Sequence, residues 1–279
     1  MPILKVQGLC KRYERFFLDH VSFTLDEGYI MGFIGSNGAG KTTTLKGIMN
    51  IIHTGRGTVE IFGENRTGNE EKLKQDIAFM TGETDYFLKK KVKSISDVVR
   101  RFYSRWDHEA YESYLKRFDI DPEKKVEELS QGMRIKYALT LALSHRARLM
   151  ILDEPTTGLD PVARDDLLEL FQELVEEGDR SILFSTHITS DLEKCADFIT
   201  YIHNGKILES SSRDDLLDSY RIVSGNEEDL KAVGNRLIAH KKNSFGFSGL
   251  IKTEDMQEAR NLESAKPTLD DIMIYYSKA

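Results

Sequence analysis

The chain has 279 residues, 40% of them hydrophobic, which is enough apolar mass for one elaborated domain or two and excludes a disordered chain. Its formal charge of −7 argues against a surface that neutralises many phosphates, so nucleic acid is not an expected partner. Two cysteines, Cys10 and Cys195, fit neither a disulfide framework nor a metal-ligand spacing, which suits a reducing compartment and leaves both as structural filler.

Charges are threaded through MPILKVQGLCKRYERFF from Lys5 onward, with no apolar signal segment. No uncharged stretch approaches the roughly 18 apolar residues of a membrane-spanning helix. A soluble, cytoplasmic chain is therefore expected, one that reaches a membrane only through a partner. Residues 1–27 and 56–63 alternate polar and apolar in short runs, TVEIF being the clearest, and predict a small antiparallel sheet. Residues 30–34, IMGFI, predict a buried strand that feeds GSNGAGKTTTLKGIMNII, a Gly-rich turn and then a helix.

Gly35, Gly40, Lys41 and Thr42 satisfy G-x-x-x-x-G-K-[ST], with Ser36, Asn37, Gly38, Ala39 and Thr43 completing the ATP-binding segment. Glycines let backbone N–H groups converge on phosphate oxygens, and the helix N-terminus adds partial positive charge. Lys41 reaches the terminal phosphates and Thr42 can ligate Mg²⁺.

Residues 84–147 change character and read as an inserted helical subdomain. Asp97, Asp107 and Asp121 each stand where a helix could begin, and Val98, Phe102 and Trp106 recur at i, i+4, i+8. Tyr103, Tyr111 and Tyr114 are core by default, with a binding groove as the alternative. LSQGM, residues 129–133, precedes Ile135, Leu139 and Ala142 at helical spacing, so Ser130, Gln131 and Gly132 form a helix N-terminus able to meet an anion; a plain Ser130 cap is the alternative. RLMILDEP predicts a strand over residues 149–152 that ends in Asp153 and Glu154. Ligands bind at that end of an open α/β sheet, so Asp153 can hold Mg²⁺ through water while Glu154 activates the attacking water. PTTGLD presents Asp160, and SILFSTH predicts a strand ending in His187 at the same sheet edge, within reach of a γ-phosphate.

This order of motifs resembles the ATP-binding cassette (ABC) ATPase family: phosphate loop, LSGGQ-like signature, Walker B with its glutamate, D-loop and switch histidine. The resemblance covers roughly residues 3–215. It implies an α/β P-loop NTPase fold, with a RecA-like core, a small antiparallel β subdomain and an inserted helical subdomain, at residues 1–215. It also implies ATP and Mg²⁺ as ligands, Glu154, His187 and Lys41 as the catalytic set, and Asp160 at a dimer contact. In the family two cassettes face head to tail, so Ser130, Gln131 and Gly132 would meet nucleotide held by another copy, in a homodimer or a heterodimer. Tyr13, in KRYERF, matches the aromatic that stacks on adenine, against the alternative of an ordinary half-buried tyrosine. An integral membrane transporter subunit is the implied partner, which places the chain at the inner face of the cell membrane.

Two departures stand out. The signature reads LSQGM, keeping Ser130 and Gly132 but placing Gln131 where the family has glycine. After IAFM, residues 77–80, the family presents a glutamine; here Glu83 is the nearest polar substitute as a metal ligand. Beyond residue 215 the family pattern stops, and residues 216–279 read as a small α/β appendage: an Asn226 helix cap, a strand in FGFSGLIK, and a helix opened by Thr268 and Asp271 that carries Ile272, Tyr275 and Tyr276 on one face. The reading is an ATP-hydrolysing transporter subunit, leaning to an exporter. The alternatives are a soluble ATPase acting on ribosomes or DNA and a nucleotide-gated regulatory module with little hydrolysis.

Overall fold

A computed structural model describes residues 1–81, 87–243 and 246–278. The described residues form three sheets. The central one has six strands in the order Lys206–Ser212, Phe198–His203, Ile30–Ile34, Ser181–Thr186, Leu149–Asp153, Ile77–Met80. All neighbours run parallel except the first pair. Its inner strands are buried on both faces, as a sheet covered on two sides requires. Ile30, Ile34, Met150, Leu152, Ile182 and Phe184 point to one core; Met31, Phe33, Leu149, Ile151 and Leu183 point to the other. The strand period of two thus divides each apolar run between two layers.

The second layer is the antiparallel sheet Phe17–Asp26, Pro2–Arg12, Arg56–Ile61, Glu64–Asn65. Val6, Leu9, Val21 and Val59 from it pack with Leu45 and Ile48 of the helix Lys41–Ile48. The first layer is covered by the helices Gln131–Ser144 and Pro161–Glu176, through Leu139, Leu143, Leu167 and Phe171.

The helical insertion departs in detail from its sequence pattern. Its first α-helix is Val92–Val99, followed by a 3-10 turn at Arg100–Phe102. Val98 and Phe102 are exposed, at 53% and 70%, and no continuous stripe joins them to Trp106. The buried face instead carries Val92 and Ser96, and the Ser96 hydroxyl lies 2.9 Å from that of Tyr137 while accepting from Tyr111 at 2.8 Å. A serine at a core position is invisible to an apolar count, which shifted the expected face. Of the three aspartates, Asp107 caps the helix His108–Arg117 by accepting from the Ala110 N–H at 3.0 Å. Asp97 lies inside a helix and pairs with Arg100, and Asp121 accepts from the Glu123 N–H in a turn, so neither begins a helix. Tyr111 is core as expected, and Tyr114 packs on Phe118.

His145, at the end of Gln131–Ser144, ties this insertion to the sheet. It is 3% exposed, its Nδ1 lies 3.2 Å from the Gln75 carbonyl, and Tyr103 stacks on its ring at 3.8 Å. Burial pulls its pKa down to about 4 from 6.5. The unfolded chain takes up this proton near pH 6.5 and the folded chain only near 4, so the contribution is complete above pH 6.5 and lost as pH falls toward 4. Relative to His145→Gln, wild-type stability should drop by about 2–3 kcal/mol between pH 7 and 4.5. Denaturant unfolding at the two pH values measures this, and a gap independent of pH refutes it.

The third sheet runs Leu237–Asn243, Gly246–Lys252, Tyr220–Gly225, Glu263–Ala265, all antiparallel. Asn226 caps Glu227–Val233, and Thr268 with Asp271 forms a capping box on Leu269–Tyr276. That last helix packs Ile272 and Tyr275 into the same core as Leu192 and Tyr201, while the Tyr276 hydroxyl lies 2.9 Å from that of Tyr220. Residues 216–278 thus bury apolar surface against the central sheet as well as within their own small core of Val223, Val233, Phe247 and Ile251.

Candidate nucleotide site

The strand Ile30–Ile34 stops at Gly35, and residues 35–40 carry the chain into the helix Lys41–Ile48. Gly40 stands at the helix N-cap with φ 114°, and a Cβ there would lie 2.8 Å from the Phe16 ring, so glycine is required both by backbone angle and by space. The loop is pinned by Ala39 N–H to Ser36 O at 3.1 Å and by Gly205 N–H to Ala39 O at 2.9 Å. No side chain caps this helix and no acid lies in its first turn, which leaves its N–H dipoles to an anion.

Lys41 is only 6% exposed, yet its ammonium donates to the carbonyls of Gly35 at 2.7 Å and Ser36 at 3.4 Å, and stands 3.2 Å from Glu154 Oε1. Glu154 follows the strand Leu149–Asp153 and holds φ 52°, in the left-handed region. Such strain persists where surrounding bonds impose it, and here Ser185 does so, accepting the Glu154 N–H on its carbonyl at 3.0 Å and on its hydroxyl at 3.1 Å. The other carboxylate oxygen of Glu154 lies 2.9 Å from His187 Nδ1 and accepts from the Thr157 hydroxyl at 3.0 Å. Asp153 is buried and accepts from the Ser185 hydroxyl at 2.5 Å. Three adjacent parallel strands therefore deliver Lys41, Asp153 with Glu154, and His187 to one edge.

Lys41, Glu154 and His187 open on a cleft of about 710 Å³ lined also by Ser36, Asn37, Gly38, Gly40, Thr42, Thr43 and Thr157, while Gly35, Ala39 and the buried Asp153 lie behind its surface. Tyr13, Arg15 and Phe16 form its remaining wall. Tyr13 is 45% exposed, with the Lys11 ammonium 5.1 Å from its ring centre. Arg15, Phe16, Thr157 and Ser185 were not singled out from sequence. The first two adjoin Tyr13 and could have been found by extending that segment, whereas Ser185 is one serine among many until strand pairing sets it beside Asp153.

The remaining sequence candidates lie elsewhere. Ser130 caps the helix Gln131–Ser144, accepting from the Met133 N–H at 3.2 Å, and Ser130, Gln131 and Gly132 do not line the cleft of their own chain. Asp160 caps Pro161–Glu176 through the N–H groups of Val162 and Ala163, both at 3.0 Å, and is also outside the cleft. Glu83 lies outside the described residues. Strand pairing also brings Cys10 Sγ, Asp19 and His20 within 4.8 Å of one another. Asp19 is already paired with Lys206 at 3.3 Å, and Lys11, Arg12 and Arg56 line the adjoining cavity, so local charge opposes a cation there.

Comparison with known proteins agrees with this geometry. The family model described as ABC transporter matches residues 18–157. The ABC transporter ATP-binding protein YtrB of Bacillus subtilis is 34% identical over 73% of this chain and 69% of its own length. The chain belongs to the ABC transporter ATP-binding family. The bacitracin transport ATP-binding protein BcrA of Bacillus licheniformis is 32% identical over 77% of this cassette chain and 71% of its own. A solved structure titled as the ATP binding subunit of an ABC transporter superposes with a TM-score of 0.69 at 28% identity, covering 77% of this chain and 91% of that one. The cassette is thus an ATP-binding, ATP-hydrolysing transporter subunit. Among the described residues no helix is long and apolar enough to cross a membrane.

Proposed function

We propose that this subunit acts as one half of a head-to-tail dimer, and that the pair energises export through a membrane subunit. The observation that carries the reading is the division of the motifs: Lys41, Glu154 and His187 meet in one cleft, while the Ser130 turn stands outside it. A helix N-terminus bearing an exposed serine and Gly132 suits an anion presented from elsewhere. The cassette comprises residues 1–215, with residues 84–147 as its helical part and 216–279 as an accessory region. Export is favoured because a cassette with a short extra C-terminal region resembles those of bacterial exporters.

In the reaction, ATP and water give ADP and phosphate. The Glu154 carboxylate takes a proton from water as its oxygen bonds the γ-phosphorus and the bond to the ADP oxygen breaks. Lys41 and His187 donate to the γ-phosphate oxygens, Ser130 and Gly132 of a second chain do so from the opposite side, and Tyr13 stacks on adenine. The Thr42 hydroxyl and the Asp153 carboxylate are hard oxygen donors that fit Mg²⁺, with Asp153 acting through water. When bound, that ion neutralises phosphate charge. An apolar groove of about 430 Å³, lined by Ile51, Phe79, Phe87, Ile95, Tyr137 and Leu141, lies between core and helical part and fits a short helix of the membrane subunit. Tyr103, Tyr111 and Tyr114 do not line it.

This reading expects the chain to sediment with membranes only when its integral subunit is co-expressed, and the groove substitution Ile51→Asp to release it. Equal sedimentation without any partner points instead to direct lipid binding.

A further inference from the structure

Gln131 occupies the place where the family's signature has glycine, and its side chain is engaged within its own chain. Its amide nitrogen donates to the Thr157 carbonyl at 2.9 Å. Gly158, the next residue, has φ 78°, and a Cβ there would lie 3.1 Å from both the amide nitrogen and the amide oxygen of Gln131, so the amide lies close against that backbone. Thr157 in turn donates its hydroxyl to Glu154 Oε2 at 3.0 Å, the oxygen that also faces His187. Two hydrogen bonds, joined through Thr157, therefore connect the signature turn to the catalytic carboxylate without leaving the chain.

We propose that Gln131 is a positioning residue: it fixes the Thr157 backbone and, through the Thr157 hydroxyl, sets the orientation of Glu154. This rests on the assignment of Glu154 as the base. Lys41 and His187 also face this carboxylate, but Thr157 is the contact from its own turn, and a bond that anchors this donor raises the fraction of Glu154 rotamers aimed at water. Glycine at position 131 offers no side chain for this contact, so the segment after Glu154 gains an anchor that the LSGGQ pattern lacks. The link also gives movement at the signature turn, whatever docks there, a direct route to Glu154.

Gln131→Met keeps the length of the side chain and removes the donor. In steady-state ATP hydrolysis it should lower kcat about three- to tenfold, the value of one anchoring hydrogen bond, while KM for ATP changes less than twofold. Thr157→Val should produce a loss of similar size. The double variant should be no slower than Thr157→Val alone, because without the hydroxyl there is nothing left for Gln131 to position. Folding is checked by the thermal midpoint of each variant, and ATP affinity by direct titration. If the Gln131→Met loss multiplies with that of Thr157→Val, or appears as weaker ATP affinity, Gln131 acts on nucleotide or on a second chain and the inference is overturned. An unchanged kcat in Gln131→Met overturns it as well. Glu154→Gln, run beside these, separates the two levels: if that variant still turns over at the wild-type rate, the assignment of the base has failed; if it is inactive while Gln131→Met keeps the wild-type kcat, only the positioning role has.

Discussion

Glu154→Gln should hydrolyse ATP at least about 10²-fold more slowly than wild type, the loss expected on removing a general base, while its affinity for ATP rises. The two halves of this expectation come from the same contacts. Glutamine has the shape of glutamate and can still accept from Thr157, so the turn at residues 153–157 is preserved, but it cannot take a proton from water. Affinity rises because the Glu154 carboxylate lies 3.2 Å from the Lys41 ammonium, the cation that a γ-phosphate also needs. Lys41 is 6% exposed and Glu154 20%, so their attraction is little screened by water. A neutral amide gives up that competition. Single-turnover hydrolysis and equilibrium nucleotide binding measure the two parts separately. Unchanged turnover removes Glu154 from its role; slower turnover with weaker binding shows that Glu154 also supports the phosphate loop.

Mixing two inactive variants should restore hydrolysis. A Ser130→Arg chain keeps an intact phosphate loop, and a Lys41→Ala chain keeps an intact signature turn. Each alone forms dimers in which both sites carry one lesion. In the mixed dimer one site joins the intact Lys41 of the first chain to the intact Ser130 of the second, while the other site collects both lesions. Activity over either parent should therefore appear, up to about half the wild-type rate per mixed dimer if the sites fire independently, and less if closing needs both phosphate contacts. The geometry motivates the test, since Ser130 caps its own helix outside its own chain's cleft. Mixed dimers that form, in a protein whose wild-type homodimers are active, yet show no recovery place the signature's action within one chain. Where the natural pair is heteromeric, the same test applies with the paralogous cassette.

The sequence by itself determined the parts whose chemistry is local. A strand, a Gly-rich turn and a lysine within a dozen residues leave little besides a phosphate loop, and the expected strands Ile30–Ile34, Leu149–Asp153 and Ser181–Thr186 lie parallel and adjacent in the fold. The expected helix caps at Asn226, Thr268, Ser130 and Asp107, each a side chain reaching two or three residues ahead, are present for the same reason, whereas the helix starts expected at Asp97 and Asp121 are not. What depended on long-range packing was not legible. The helical insertion buries Ser96 rather than the Val98 face, because a hydroxyl can pair with Tyr111 and Tyr137 only once three helices have met. Ser185 becomes a support for Asp153 and Glu154 only through the register of two strands 32 residues apart in the chain. The tertiary structure alone decided that the C-terminal helix shares the core of the central sheet. It also decided that Gln131, an apparent defect in a motif, reaches the segment behind the catalytic acid. A one-dimensional pattern records which groups are available; the distance between a side-chain amide and a carbonyl 26 residues away is fixed only when the layers that carry them have packed.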